Sequence, residues 1–181
     1  PADSSRRVST RRVRCTARPA TRSCGEDESV SPEVAILGLL KSLQGLAQAN
    51  LAAYRERPEL VSAYRCAKRF GRFIYESDEL TCGRPDCWST TRGLLERYPY
   101  GPVLADCEDF ACAEAAYLAY QGQPALIGLR PGKRIAHAVC GVETPGGDAY
   151  RIGPPEYVID PSVDFGMPKL PRYDQIYWMR V

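Results

Sequence analysis

Ala105-Asp106-Cys107-Glu108-Asp109-Phe110-Ala111 opens the stretch on which the fold turns, and the run continues through Cys112 to Tyr120-Gln121-Gly122. Asp106 is a suitable N-cap and Gly122 a suitable stop, so a helix is expected from Cys107 to about Gln121. Cys107 then sits in the first turn, where unpaired backbone N–H groups and the helix dipole favour an anion. That placement raises the thiolate fraction of a cysteine, and a neighbouring N–H can support an oxyanion. Asp106, Glu108 and Asp109 work against it, since nearby carboxylates raise a thiol pKa. Cys107 therefore needs a cationic partner.

The only histidine lies downstream. Pro124–Leu129 is a short apolar run ended by the turn Pro131-Gly-Lys-Arg134, and Ile135–Glu143 follows as a strand. Ile135, His137 and Val139 share one face of it; Ala136, Ala138, Cys140 and Val142 share the other. After the turn at Thr144-Pro-Gly-Gly-Asp148, Tyr157–Asp160 is a further strand, stopped by Pro161. Neighbouring antiparallel strands can set the Asp160 carboxylate against one ring nitrogen of His137. The other nitrogen is then left for a thiol, as an activated Cys–His pair requires. A lone cysteine or a lone histidine is usually structural, and the order Cys107, His137, Asp160 on helix, strand and strand is the informative feature.

Upstream the chain is helical. Ser31-Pro32-Glu33 is a helix start with an N-cap, a proline at the first helical position and an acid in the first turn. Val34, Leu37, Leu40, Leu43, Leu46 and Leu51 form an apolar stripe running to about Tyr54. Arg57-Pro58-Glu59 opens a second helix, with Leu60, Tyr64, Ala67 and Ile74 on one side and Arg65, Lys68, Arg69 and Arg72 on a basic side that most simply meets solvent. Residues 77–88 are a loop and Ser89–Tyr98 a short helix. Helices first and an antiparallel sheet after them give an α+β fold.

With these motifs in place, the sequence resembles the transglutaminase-like cysteine peptidases of bacteria and phages, which have a papain-like fold. The resemblance rests on Asp106-Cys107-Glu108-Asp109-Phe110-Ala111, on the helix end Tyr120-Gln-Gly122-Gln-Pro124-Ala, on the strand beginning at His137, and on Val158-Ile-Asp160-Pro161-Ser162. It covers residues 89–166. It implies a helix that opens with the nucleophile and packs on a small antiparallel sheet. Cys107 would be the nucleophile, His137 the general base and acid, and Asp160 the orienting group, with Asp109 in a structural position. Papain-type cell-wall endopeptidases share the Cys-then-His order but usually lack the Asp-Pro strand end, so they rank second. The side-chain oxyanion donor is left open, with Trp88 and Gln121 considered.

The chain has 181 residues, 44% apolar and 25% charged, enough for a packed core. No stretch approaches the 18 or more apolar residues of a membrane span, and the arginine-rich start has no apolar signal core, so a cytoplasmic or virion-associated protein is expected. Eight cysteines are read as free thiols and small buried hydrophobes. Cys15, Cys24, Cys82 and Cys87 lack the usual two-residue spacing of a zinc knuckle, so no metal and no cofactor are expected.

Residues 1–24 carry a local charge of +6 on a remainder of −4. Three regions follow: a basic arm (1–30), too polar to fold alone; a helical segment (31–76); and the transglutaminase-like domain (77–181). The arm, with Arg6, Arg7, Arg11, Arg12 and Arg14, would give salt-dependent, non-specific nucleic-acid binding or meet an acidic partner. Two functions are expected. One is acyl transfer from a protein or peptide amide to water or an amine, as in virion-protein processing. The other is a catalytically silent component of a large assembly such as a virion, anchored by the arm.

Overall fold

A computed structural model describes residues 31–81, 83, 87–132, 136–143, 155–168 and 175–181. The basic arm, with Arg6, Arg7, Arg11, Arg12 and Arg14, lies outside the described residues, as do Cys15, Cys24 and Cys82. No helix among the described residues is long and apolar enough to cross a membrane.

The first helix, α1 (Pro32–Glu56), begins where the sequence places it, with the Ser31 hydroxyl accepting the Val34 N–H at 3.4 Å. Its stripe is buried only from Leu40 onward, through Leu43, Ala47, Leu51 and Tyr54; Val34 and Leu37 stay exposed. The next helix, α2 (Glu59–Arg69), ends at Gly71, whose φ of +62° suits a residue without a Cβ. The basic side is divided by its contacts. Lys68 pairs with the buried Glu114 at 2.8 Å, and Arg72 donates to the carbonyls of Tyr98 and Gly101. Arg65 and Arg69 remain at the surface.

Ile74 departs from the expected helix. It belongs to a strand, β1 (Phe73–Tyr75), which the turn at Gly71 separates from α2. The chain then passes α3 (Asp78–Thr81) and α4 (Thr91–Arg97), the latter capped by Thr90 Oγ1 accepting the Gly93 N–H at 3.1 Å. It returns as β2 (Val103–Ala105), parallel to β1 with Phe73 opposite Val103 and Tyr75 opposite Ala105.

From β2 the chain enters α5 (Cys107–Tyr120), stopped by Gly122 with φ of +78°. A second sheet follows, made of β3 (Ala125–Arg130), β4 (His137–Glu143), β5 (Pro155–Ile159) and β6 (Tyr177–Arg180), with a short α6 (Pro161–Asp164) after β5. Its order is β5-β4-β3-β6, antiparallel at every pairing. The molecule is thus α+β, with this sheet beside the small parallel β1–β2 pair.

One core joins helices and sheet. Leu40, Leu43 and Ala47 of α1 meet Ala111, Cys112, Ala115 and Leu118 of α5, and both meet Ile127 and Leu129 of β3 and Ala138, Cys140 and Val142 of β4. Alternate residues of β3 and β4 face the helices, as a pleated strand dictates. Cys112 and Cys140 pack here as small apolar side chains, and both are free thiols. A second cluster packs Phe73 of β1 against Phe110 of α5 and Phe165 after α6. At the sheet's far side the ring of Trp178 lies on Gly128, so close that a Cβ there would come 2.5 Å from Cζ3.

Candidate active site

Asp106 ends the β2 segment and stands at the N-cap of α5, but its side chain makes no capping hydrogen bond. The cap works through the backbone, with Phe110 N–H donating to Asp106 O at 3.2 Å. Cys107 is the first helical residue and is 5% exposed. The backbone N–H of Ala138, the residue after His137, lies near its sulfur, which brings the helix start against the head of β4. Both side chains belong to the same apolar cluster.

His137 opens β4 and Asp160 immediately follows β5. Cys140 pairs with Ile159, so Asp160 falls opposite Val139 and on the same face as His137. His137 Nε2 and Asp160 Oδ2 are 2.9 Å apart, with both side chains buried. The carboxylate thereby orients the ring through Nε2 and leaves Nδ1 outside this contact.

The thiol does not use that nitrogen in this structure. Cys107 Sγ donates instead to Glu108 Oε2 at 2.8 Å. Burial, followed by the Glu108 charge, pushes the Cys107 thiol well above its ordinary value, and the Ala138 N–H opposes this only in part. The expectation that the helix start would favour a thiolate is thus outweighed: desolvation and adjacent carboxylates act more strongly than the dipole of one helix end.

A group of acids lies beneath. Asp78, Asp106 and Asp109 are all buried, and one oxygen from each lies within 4.8 Å of the others. Asp109 accepts the Ser89 N–H at 2.7 Å and Asp78 accepts that of Cys87, so Asp109 ties the segment before α4 to the start of α5 and Asp78 ties it to α3. Burial and then the Glu108 charge raise Asp106 to about 9; burial and then the Asp78 charge raise Asp109 to about 7. Protonation holds such a group together, and an all-oxygen set of this kind is also the type a hard divalent cation takes. The sequence did not suggest this grouping, because Asp78 comes from a distant segment brought in by the β1–β2 pairing.

Of the two oxyanion donors considered from sequence, Gln121 is excluded by position. It caps the far end of a 14-residue helix, roughly 20 Å from Cys107 at 1.5 Å per residue. Trp88 packs against the cluster that holds Cys107, but its Nε1 is sealed from solvent and has no hydrogen-bond partner among the described residues.

No protein-family model and no curated protein matches this chain. The functional reading therefore stands on the residues of the site.

Proposed function

We propose that this protein is a cysteine-dependent acyl-transfer enzyme on a papain- or transglutaminase-like core, acting on a protein or peptide amide, with hydrolysis as the default outcome. The observation that carries the reading is the buried 2.9 Å contact between His137 and Asp160, beside a helix that opens with Cys107. In the reaction the Cys107 proton passes to His137 as the sulfur attacks the carbonyl carbon. The C–S bond forms, the C–N bond breaks, and His137 returns the proton to the departing amine. Water, deprotonated by the same imidazole, then releases the acid. An amine in place of water would give cross-linking. Asp160 fixes the ring and stabilises its cationic form while it carries the proton.

Since the resting thiol is protonated and turned to Glu108, activation requires a rotation of the sulfur towards Nδ1 or proton transfer concerted with attack. The same contact favours a second reading, in which the fold is kept as a catalytically silent part of a large assembly, virion included, anchored by the basic arm. Iodoacetamide labelling of Cys107 as a function of pH, followed by mass spectrometry in the native protein and in His137→Ala, separates the two. The enzyme reading expects Cys107 to label faster than Cys112 and Cys140 at neutral pH and to lose that advantage in the variant. Labelling indifferent to His137 would leave the assembly reading.

A further inference from the structure

An acyl transfer through Cys107 produces a negatively charged oxygen that needs hydrogen-bond donors, and the start of α5 supplies backbone N–H groups only. Tyr75 stands where a side-chain donor is wanted. It ends β1 opposite Ala105, two residues before Cys107. The flanking backbone locks this register: Glu76 N–H donates to Ala105 O at 2.9 Å, and Tyr75 N–H donates to Phe165 O at 2.8 Å. Phe165 caps α6, the turn that begins at Asp160. The backbone of Tyr75 is therefore fastened on one side to the segment leading into Cys107 and on the other to the segment leaving Asp160.

Its side chain packs against the apolar cluster that contains Cys107 and Ala138. The residue is only partly buried, and the hydroxyl makes no hydrogen bond among the described residues. A phenol that is held by its ring, reachable from solvent and unpartnered beside a buried nucleophile is a donor in waiting.

We propose that the Tyr75 hydroxyl is the side-chain oxyanion donor of this site, donating to the substrate carbonyl oxygen as Cys107 attacks. This deepens the acyl-transfer reading and rests on it. When the C–S bond forms, the π pair of the carbonyl moves to oxygen, which accepts the Tyr75 O–H; when the tetrahedral species collapses, that pair re-forms the carbonyl and the leaving group departs. The phenol keeps its proton throughout. Burial first, then the charges of Cys107, Asp106, Glu108 and Asp160, raise Tyr75 to about 12, so it remains a donor across the working pH range. Asp106, raised to about 9, stays protonated near neutrality and does not oppose the oxyanion.

The test compares two reagents on the full chain, each read by mass spectrometry at the Cys107 peptide. Acylation by p-nitrophenyl acetate passes through an oxyanion; alkylation by iodoacetamide displaces iodide at a saturated carbon and does not. Tyr75→Phe keeps the ring, and an unchanged thermal midpoint verifies its fold. The expected result is acylation of Cys107 slowed about 10- to 100-fold, as for loss of one oxyanion donor, with alkylation within about twofold of the native rate. Equal acylation rates with alkylation still dependent on His137 would overturn the Tyr75 assignment alone. Equal losses with both reagents would also overturn it, because they would place Tyr75 on the thiol and not on the oxyanion. Native Cys107 that is inert to both reagents would remove the acyl-transfer reading itself, and the assignment with it.

Discussion

Cys107 Sγ and Glu108 Oε2 lie 2.8 Å apart, joined by a hydrogen bond between adjacent residues at the mouth of α5. Burial chiefly, and then the Glu108 charge beside the sulfur, keep Cys107 as a thiol. Glu108→Gln removes the charge and keeps the shape. Labelling of Cys107 by iodoacetamide at pH 7 is expected to rise, because removing the charge lowers the thiol pKa and enlarges the thiolate fraction. Unchanged labelling in the variant would show that burial alone holds the proton.

Asp160 holds His137 by its 2.9 Å contact, and in the proposed reaction it would act through that ring. Asp160→Asn leaves an acceptor for Nε2–H but removes the charge that stabilises the imidazolium. The His137-dependent part of Cys107 acylation is expected to fall about 10- to 100-fold, within the contribution of a general base. Its pH profile should move to higher pH, because the thiol then has a weaker cationic partner. A profile that keeps both height and position would assign Asp160 to packing alone.

Asp109 links the site to pH. Its folded pKa, raised to about 7 by burial and by Asp78, exceeds the value of about 4 expected in the unfolded chain. The folded state therefore binds more protons between those values, and stability falls as pH rises from about 4 to about 7 and stays lower above that. Asp106 extends the same slope to about 9. Asp109→Asn keeps an oxygen for the Ser89 N–H. Urea unfolding should find the variant more stable than the native protein at pH 8, by on the order of 4 kcal/mol, with the gap narrowing to about 1 kcal/mol at pH 5. Equal stability at both pH values would mean that Asp109 ionises freely in the fold.

Gly128 tests the sheet. The Trp178 ring occupies the space a Cβ would need, so Gly128→Ala must push the ring and β6 outward. A loss of about 1–3 kcal/mol in urea unfolding is expected, the usual cost of overpacking. A quenched, red-shifted tryptophan emission should accompany it. Native stability in the variant would show that β6 yields without cost.

The helices at either end of the upstream region, the helix at Cys107 and the strand at His137 were legible, because each carries its own punctuation: Ser31-Pro32, Arg57-Pro58, Asp106 and Gly122. The face shared by His137 and Asp160 followed from period-two alternation in two strands. The β1–β2 pair was not legible. Phe73-Ile74-Tyr75 is too short for alternation to separate it from the helix before it, and its partner lies beyond two intervening helices. Tyr75 was missed for that reason, and so was the approach of Asp78 to Asp106. The resting contact of Cys107 with Glu108 was anticipated only as a repulsion, since a sequence gives neighbours but not rotamers.

β6 (Tyr177–Arg180) forms one edge of the sheet. It covers the outer edge of β3, its last carbonyl is held by Gln44 of α1 at 2.7 Å, and Arg180 reaches across β3 to Glu143 of β4. During synthesis β3 is made well before β6 emerges, so the nascent chain carries an apolar strand with one unsatisfied hydrogen-bonding edge. That interval is when two growing chains are most exposed to pairing with each other. Pairing of β6 closes that edge and so guards β3 against pairing with another chain.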